Sequence, residues 1–295
     1  SGSPLSNVGT LTNQGIELEV GYKLSVDKVN LSFLANASYV KNEIKNLGNQ
    51  TGYIDKESLP TLGTVSRNEN GYPIGYFFGY KAIGVFQTQE EIDSYISPAT
   101  GKPIQPNAAP GDTKFEDLNG DGVISDDNED RTMIGKPNPD WMVGLTVAAD
   151  WNGFDLSAFF QGSFGADVFD ALRRYELAAV NYTSDALERW TGPGTSNSMP
   201  RIVLGDTPKN FRPSTLLVHD ASFLRLRNLQ VGYTLPAQLT RKAYIQRLRF
   251  YASFDNLLTI TGYKGMDPEI GSTMGIDKGV YPQARVYTFG LNLTF

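Results

Sequence analysis

The chain has 295 residues, a formal net charge of −6, no cysteine and a single histidine. No disulfide or thiolate metal site is available, a centre built on histidines is ruled out by having only His219, and the acidic balance without a Lys/Arg block argues against nucleic acid. Hydrophobic residues make up 40%, and no run approaches the ~18 apolar residues of a spanning helix. A transmembrane β-barrel escapes that test, because half of each strand faces water.

From the amino end, Ser1-Gly2-Ser3 leads into a strand-like segment with no signal peptide, as in a chain that starts mid-protein. Ile16, Leu18, Val20, Tyr22 and Leu24 then alternate with Glu17, Glu19, Gly21 and Lys23, the period of a two-faced strand. After the turn at 25–28, Val29, Leu31, Phe33, Ala35, Ala37 and Tyr39 repeat the pattern. A weaker strand is predicted over 61–68 and an aromatic, glycine-spaced one over 76–86, separated by a turn at 69–75.

The clearest hairpin follows. Trp141, Val143, Leu145, Val147, Ala149 and Trp151 share one face, Asn152-Gly153 is a strong two-residue turn signal, and Phe154, Leu156, Ala158, Phe160 and Phe164 return. The ten-residue gap between the tryptophans spans about 23 Å of bilayer normal at ~3.3 Å rise and ~45° tilt, close to the ~25 Å apolar band of such barrels. A soluble sandwich would bury the same face, so this strand alone leaves both readings open. Strands over 223–235, 248–260 and 283–295 complete nine. In the first of these the apolar parity slips after Leu224 and Leu226, from a bulge or from leucines on the inner face. The last carries Tyr287, Phe289, Leu291, Leu293 and Phe295 on alternate positions, an exposed greasy face that lipid would solvate.

Connections alternate in length. Short turns lie at 25–28, 69–75, 152–153 and 236–245, and long loops at about 46–59, 87–138, 165–220 and 261–282. Outer-membrane barrels have short periplasmic turns and long external loops. The fold expected is therefore all-β, about nine antiparallel strands of a large transmembrane barrel with long extracellular loops. Single-chain bacterial barrels have even strand numbers, so nine points to the carboxyl-terminal part of a larger one.

Several motifs then resemble those of the SusC/RagA-like TonB-dependent outer-membrane transporters. They are Asn7-Val8-Gly9 with Asn13-Gln14-Gly15-Ile16-Glu17, Gly71-Tyr72-Pro73-Ile74-Gly75-Tyr76-Phe77-Phe78-Gly79-Tyr80, and Gly84-Val85-Phe86-Gln87. Pro110-Gly111-Asp112, Asp117 to Gly122, Ile134-Gly135, Pro137-Asn138-Pro139, Ser222 to Asn228 and Asp255-Asn256-Leu257-Leu258 continue the match in order. The resemblance implies energy-dependent import of oligosaccharide or peptide across the outer membrane, without enzymatic activity. It also implies a SusD-like surface lipoprotein as partner and coupling to the TonB complex through an amino-terminal part that this sequence lacks. A small passive porin and a secreted, calcium-stabilised, carbohydrate-binding β-sandwich are the competing readings.

Asp117-Leu118-Asn119-Gly120-Asp121-Gly122-Val123-Ile124 has the alternating oxygen ligands of a calcium loop. Asp117, Asn119 and Asp121 would supply side chains and Val123 its carbonyl. The twelfth position is Asn128 rather than an acid, so Asp130 would have to reach in, with Asp126 and Asp127 as other candidates. Such an ion would stiffen a loop, and an acidic, solvated turn is the plain alternative. Within 165–220, Tyr175, Tyr182, Trp190, Arg173, Arg174 and Arg189 suit either sugar stacking or packing of the loop itself, and 170–177 suits a short helix. His219, beside Asp220, has no serine nucleophile or metal partner nearby and reads as a polar residue at a strand mouth. The acid pairs Glu90-Glu91 and Asp126-Asp127 read as solvated loop charges, because adjacency in sequence does not set a catalytic separation.

Overall fold

The computed structural model describes residues 9–177, 180–270 and 274–295. Ser1-Gly2-Ser3 and the Asn7-Val8 start of the first motif lie outside them.

Seven antiparallel strands form one sheet in sequence order. They are β1 (Thr10–Val26), β2 (Val29–Asn46), β3 (Trp141–Trp151), β4 (Phe154–Phe164), β5 (Phe223–Thr234), β6 (Arg247–Thr261) and β7 (Val286–Thr294). The sheet is open, with β1 and β7 at its edges. Asn152 (φ 49°) and Gly153 (φ 86°) both take the left-handed conformation between β3 and β4, which is what a two-residue type I′ hairpin requires.

The register runs in unbroken rows. Val29, Trp151, Phe154, Tyr233, Phe250 and Leu291 stand side by side on one face near the short turns. Near the other end Tyr39, Trp141 and Phe164 form a second row, with the Tyr39 and Trp141 ring centroids 5.0 Å apart. Between these rows the face is apolar and open to the surroundings; Leu145 is 38% and Phe289 76% exposed. Among the described residues no second sheet covers it, which removes the sandwich arrangement.

The predicted count of nine wall strands is corrected to seven. β2 pairs directly with β3, and the segments predicted at 61–68 and 76–86 leave the wall for a separate four-stranded sheet made with Tyr53–Asp55 and Thr132–Gly135. The physical reason is that Ser66, Arg67, Tyr76, Phe77 and Phe78 are all buried, on neighbouring as well as alternate positions, so neither segment has an outer face. The turn at 69–75 consequently packs on the rim of β2, where the Gly71 amide donates to the Ile44 carbonyl. Dropping two strands leaves parity unchanged. All three long connections (47–140, 165–222 and 262–285) still leave from one end of the sheet.

Those connections are not independent loops. Leu59, Val65 and Phe77 from the first, Phe169, Ala171 and Leu217 from the second and Ile276 from the third share one buried cluster. A parallel pairing of Asp167–Asp170 with Ile276–Asp277 ties the second connection to the third. Together they form a folded cap.

Candidate functional site

Opposite the apolar face, the sheet presents a polar one that runs up into the cap. On β5 the leucines point outward and Arg225, Arg227, Asn228 and Gln230 point inward. Two arginines and an asparagine share that side because the pairing slips at Arg227 against β4 and again opposite it at Asn256 on β6. Of the two causes considered for the parity slip, the bulge is the one observed. Asn256 absorbs it with φ 52°, a conformation asparagine tolerates better than most residues, and its Oδ1 accepts from Arg227 at 3.2 Å.

Arg225, 2% exposed at its side chain, donates to Thr259 Oγ1 (2.9 Å), Asp267 Oδ1 (2.5 Å) and Glu269 Oε2 (3.0 Å). Arg227 adds Gln161 Oε1 at 2.7 Å and both Glu269 oxygens at 2.6 Å. These charge-assisted bonds hold the third connection against the polar face. Burial raises the Asp267 pKa, but the amides of Gln283 and Glu269 together with Arg225 outweigh it and keep the carboxyl below its usual range. Further toward the short turns, Arg249 bridges Asp155 (2.9 Å) and Gln230 (3.0 Å). The pair of inward arginines was legible only as Arg-Leu-Arg at alternate positions; their acidic partners lie some forty residues away.

Within the cap, the residues suspected of stacking on substrate mostly pack the cap itself. Tyr175 is buried 4.9 Å from the Phe211 ring, and Trp190 Nε1 donates to Gln87 Oε1 at 3.1 Å. Arg173 pairs with Asp170 (2.9 Å) and Asp185 (2.7 Å), Arg174 binds Glu176 and the Pro60 carbonyl, and Arg189 binds the Ala186 carbonyl. Tyr182 alone of the aromatics is half exposed. The helix suggested over 170–177 does not form: Asp170 ends a strand, and its carboxylate caps the Leu172 amide in a turn.

His219 lies in the strand Val218–Asp220, 3.4 Å from Arg173 and 3.7 Å from Asp170. Burial, then the Arg173 charge, push its pKa down, so it stays neutral near pH 7. A bidentate pair that sequence reasoning missed, Arg201 on Asp112 (2.6 and 3.1 Å), joins the first connection to the second. Next to it Gly111 (φ 92°) passes so close to Trp190 that a Cβ would sit 2.4 Å from the ring.

The acidic loop gathers its predicted ligands into one turn but points them at its own amides. Asp117 accepts from Gly120 and Gly122 (2.8 and 2.9 Å), Asn119 from Asp121 (3.0 Å) and Asp121 from Val123 (2.9 Å). Asp130, fully buried, accepts from Leu118 and Ser125 across the loop. Among the described residues no three acidic or histidine groups converge on a common metal position.

No protein-family model matches the sequence. The TonB-dependent receptor P3 of Formosa agariphila is 32% identical over 99% of this chain, and SusC of Bacteroides thetaiotaomicron is 30% identical over 98%. The solved structure of the RagAB peptide transporter superposes with a TM-score of 0.75 at 27% identity, over 98% of this chain. The chain is homologous throughout to the SusC/RagA-like TonB-dependent transporters. It spans about 30% of the length of those relatives, a carboxyl-terminal part of them. The transporter motifs now have places. Gly71–Tyr80 builds the inner strand of the cap, Ser222–Asn228 supplies the inward arginines, and Asp255–Leu258 holds the bulge.

Proposed function

We propose that this chain is wall and cap of an outer-membrane importer, with its apolar face in lipid, its cap on the extracellular side and its polar face toward the lumen. The observation that carries the reading is the pair of rows, Tyr39-Trp141-Phe164 and Trp151-Phe154-Tyr233, that place tryptophan and tyrosine at both borders of an exposed apolar band. Tryptophan and tyrosine favour both membrane interfaces. The likeness to the RagAB peptide transporter supports import, and the family resemblance adds oligosaccharide as the other substrate class and a SusD-like surface lipoprotein as partner. Coupling to TonB would come from the part of the relatives that this chain does not span.

The test is depth-dependent quenching by brominated lipids in proteoliposomes of the full-length protein, using variants that keep only Trp141 or only Trp151. Both should be quenched most strongly by bromines near the headgroups, and from opposite sides. An indole quenched at the bilayer centre, or not at all, would sink the lipid-facing assignment.

A structural calcium ion held by Asp117, Asn119, Asp121, the Val123 carbonyl and Asp130 is a separate proposal, supported by their spacing. The Asp117 and Asp121 carboxylates accept amides of the turn, and each keeps further lone pairs for a cation. Protease protection of 87–138 that rises with calcium and vanishes in Asp117→Ala and Asp121→Ala would support it; equal cleavage with calcium and with chelator would reject it.

A further inference from the structure

Three arginines of the cap are threaded through aromatic rings. Arg67 lies between Tyr53 (4.0 Å) and Phe78 (3.6 Å), Arg131 between Phe78 (4.3 Å) and Tyr80 (5.7 Å), and Arg212 between Tyr80 (4.7 Å) and Phe115 (5.0 Å). Arg67 has Asp55 as counter-ion, but among the described residues Arg131 has no carboxylate within salt-bridge range. Its Nη2 is spent on the Thr64 and Phe78 carbonyls, and its Nε is buried without a partner. Arg212 has a buried, unpartnered Nη1, and the nearest carboxylate, Asp126, stops 3.8 Å away.

Arg131 and Arg212 border a cavity of about 360 Å³, together with Lys209, Asp126, Glu176 and Asp206. Three cations face three acids, but two of the acids have their oxygens engaged elsewhere. Glu176 is bound to Arg174, and Asp206 spends both oxygens on the Asn210 and Phe211 amides. That leaves Asp126, which bonds Lys209 from an exposed position at the tip of the acidic loop.

We propose that this cavity is a carboxylate-binding site, and that Asp126 occupies the place a ligand's carboxylate takes between Lys209 and Arg212. Charge-assisted contacts to two cations would replace one exposed ion pair and give the Arg212 Nη1 an acceptor. Asp126 swings outward on the loop when the ligand enters. The buried, unpartnered second oxygen of Glu176, also in the lining, favours a carboxylate with a neighbouring donor group. A uronic acid and a peptide carboxyl terminus both carry that arrangement. The inference builds on the cap as a ligand-facing surface, but its assay needs no import, so the two readings can fail separately.

The measurement is saturation-transfer NMR on the full-length protein in detergent. The probes are sodium glucuronate and acetyl-Ala-Ala, with glucose and acetyl-Ala-Ala amide as neutral counterparts. At least one carboxylate should bind and its neutral counterpart should not, which also tells the two sources apart. Asp126→Asn should tighten that binding severalfold by removing the internal competitor, and Lys209→Met should weaken it about tenfold. Both positions are exposed, so neither change threatens the fold. No carboxylate binding at 10-millimolar order, binding equal to that of the neutral probe, or binding indifferent to both substitutions would overturn the proposal.

Discussion

Asp206 shows what burial does to one carboxyl. It sits in the cap with the Asn210 and Phe211 amides on its oxygens, yet burial outweighs them and pushes its pKa up to about 6, with Glu176 adding repulsion and Arg212 opposing. The folded cap thus holds a proton that the unfolded chain releases near pH 3.8. This stabilisation is complete below that pH and is lost as pH rises through about 6. At ~1.36 kcal/mol per pKa unit it amounts to roughly 3 kcal/mol at most. Hydrogen exchange of the 201–215 backbone should therefore quicken between pH 4 and pH 7 beyond the intrinsic rate increase, and Asp206→Asn should remove that excess. An unmodified protein without the excess would show that the carboxyl is not protonated in the cap. Nothing in the sequence flags Asp206, because its burial comes from elements far away in the chain. Asn256 was equally silent: the parity slip betrays a bulge somewhere near Arg227, but which residue takes the left-handed turn depends on the pairing with β5.

At the scale of the strand, legibility follows the period. β1 to β7 were visible because one face is apolar and the other small or polar, and outside the slip on β5 each residue's side could be read from its parity. The two cap strands misled for the same reason in reverse: surrounded on both sides, their sequence carries no outward face to mark them as different from a wall strand. β7 gives the sharpest test of the face assignment. Leu291→Asp places a carboxylate on the lipid face in the row level with Trp151 and Phe154, at the edge of the apolar band, where a charge costs up to about 1 kcal/mol rather than the roughly 2–4 kcal/mol a base costs at mid-depth. Asn292→Ser and Thr288→Ser change only the polar face. In outer-membrane preparations of the full-length protein, Leu291→Asp should reduce the heat-modifiable, folded fraction and the two serine variants should leave it intact. Equal damage from both faces would remove the lipid from the picture.

On the scale of the molecule, sheet and cap bury their apolar surface differently. The cap has cores of its own, centred on Phe77 and Phe169, both fully buried with ring centroids 5.9 Å apart. Phe169→Ala should cost about 3–5 kcal/mol through lost burial and an unfilled hole. That loss should open the cap to protease while the wall keeps its heat-modifiable mobility, because no Phe169 contact lies in the apolar band. A wall that melts together with the cap would show the two to be one cooperative unit. The all-β class and the placing of the long connections at one end were legible in the sequence, but the direct pairing of β2 with β3 was not. The cap was not, since its core joins Phe77, Phe169 and Ile276 across about two hundred residues and no local pattern encodes such a meeting.

The shared core also limits how such a protein can be altered. Three segments that hang from three separate hairpins fill one another's gaps, so none of them is a module in its own right. Transplanting a single segment from a relative would leave Leu59, Phe169 or Ile276 facing side chains shaped for a different neighbour. A recombinant with a new ligand preference would need all three segments from the same donor, whereas the strands beneath could stay. Inheritance should show the same grain, with the three segments diverging in step and the wall drifting on its own.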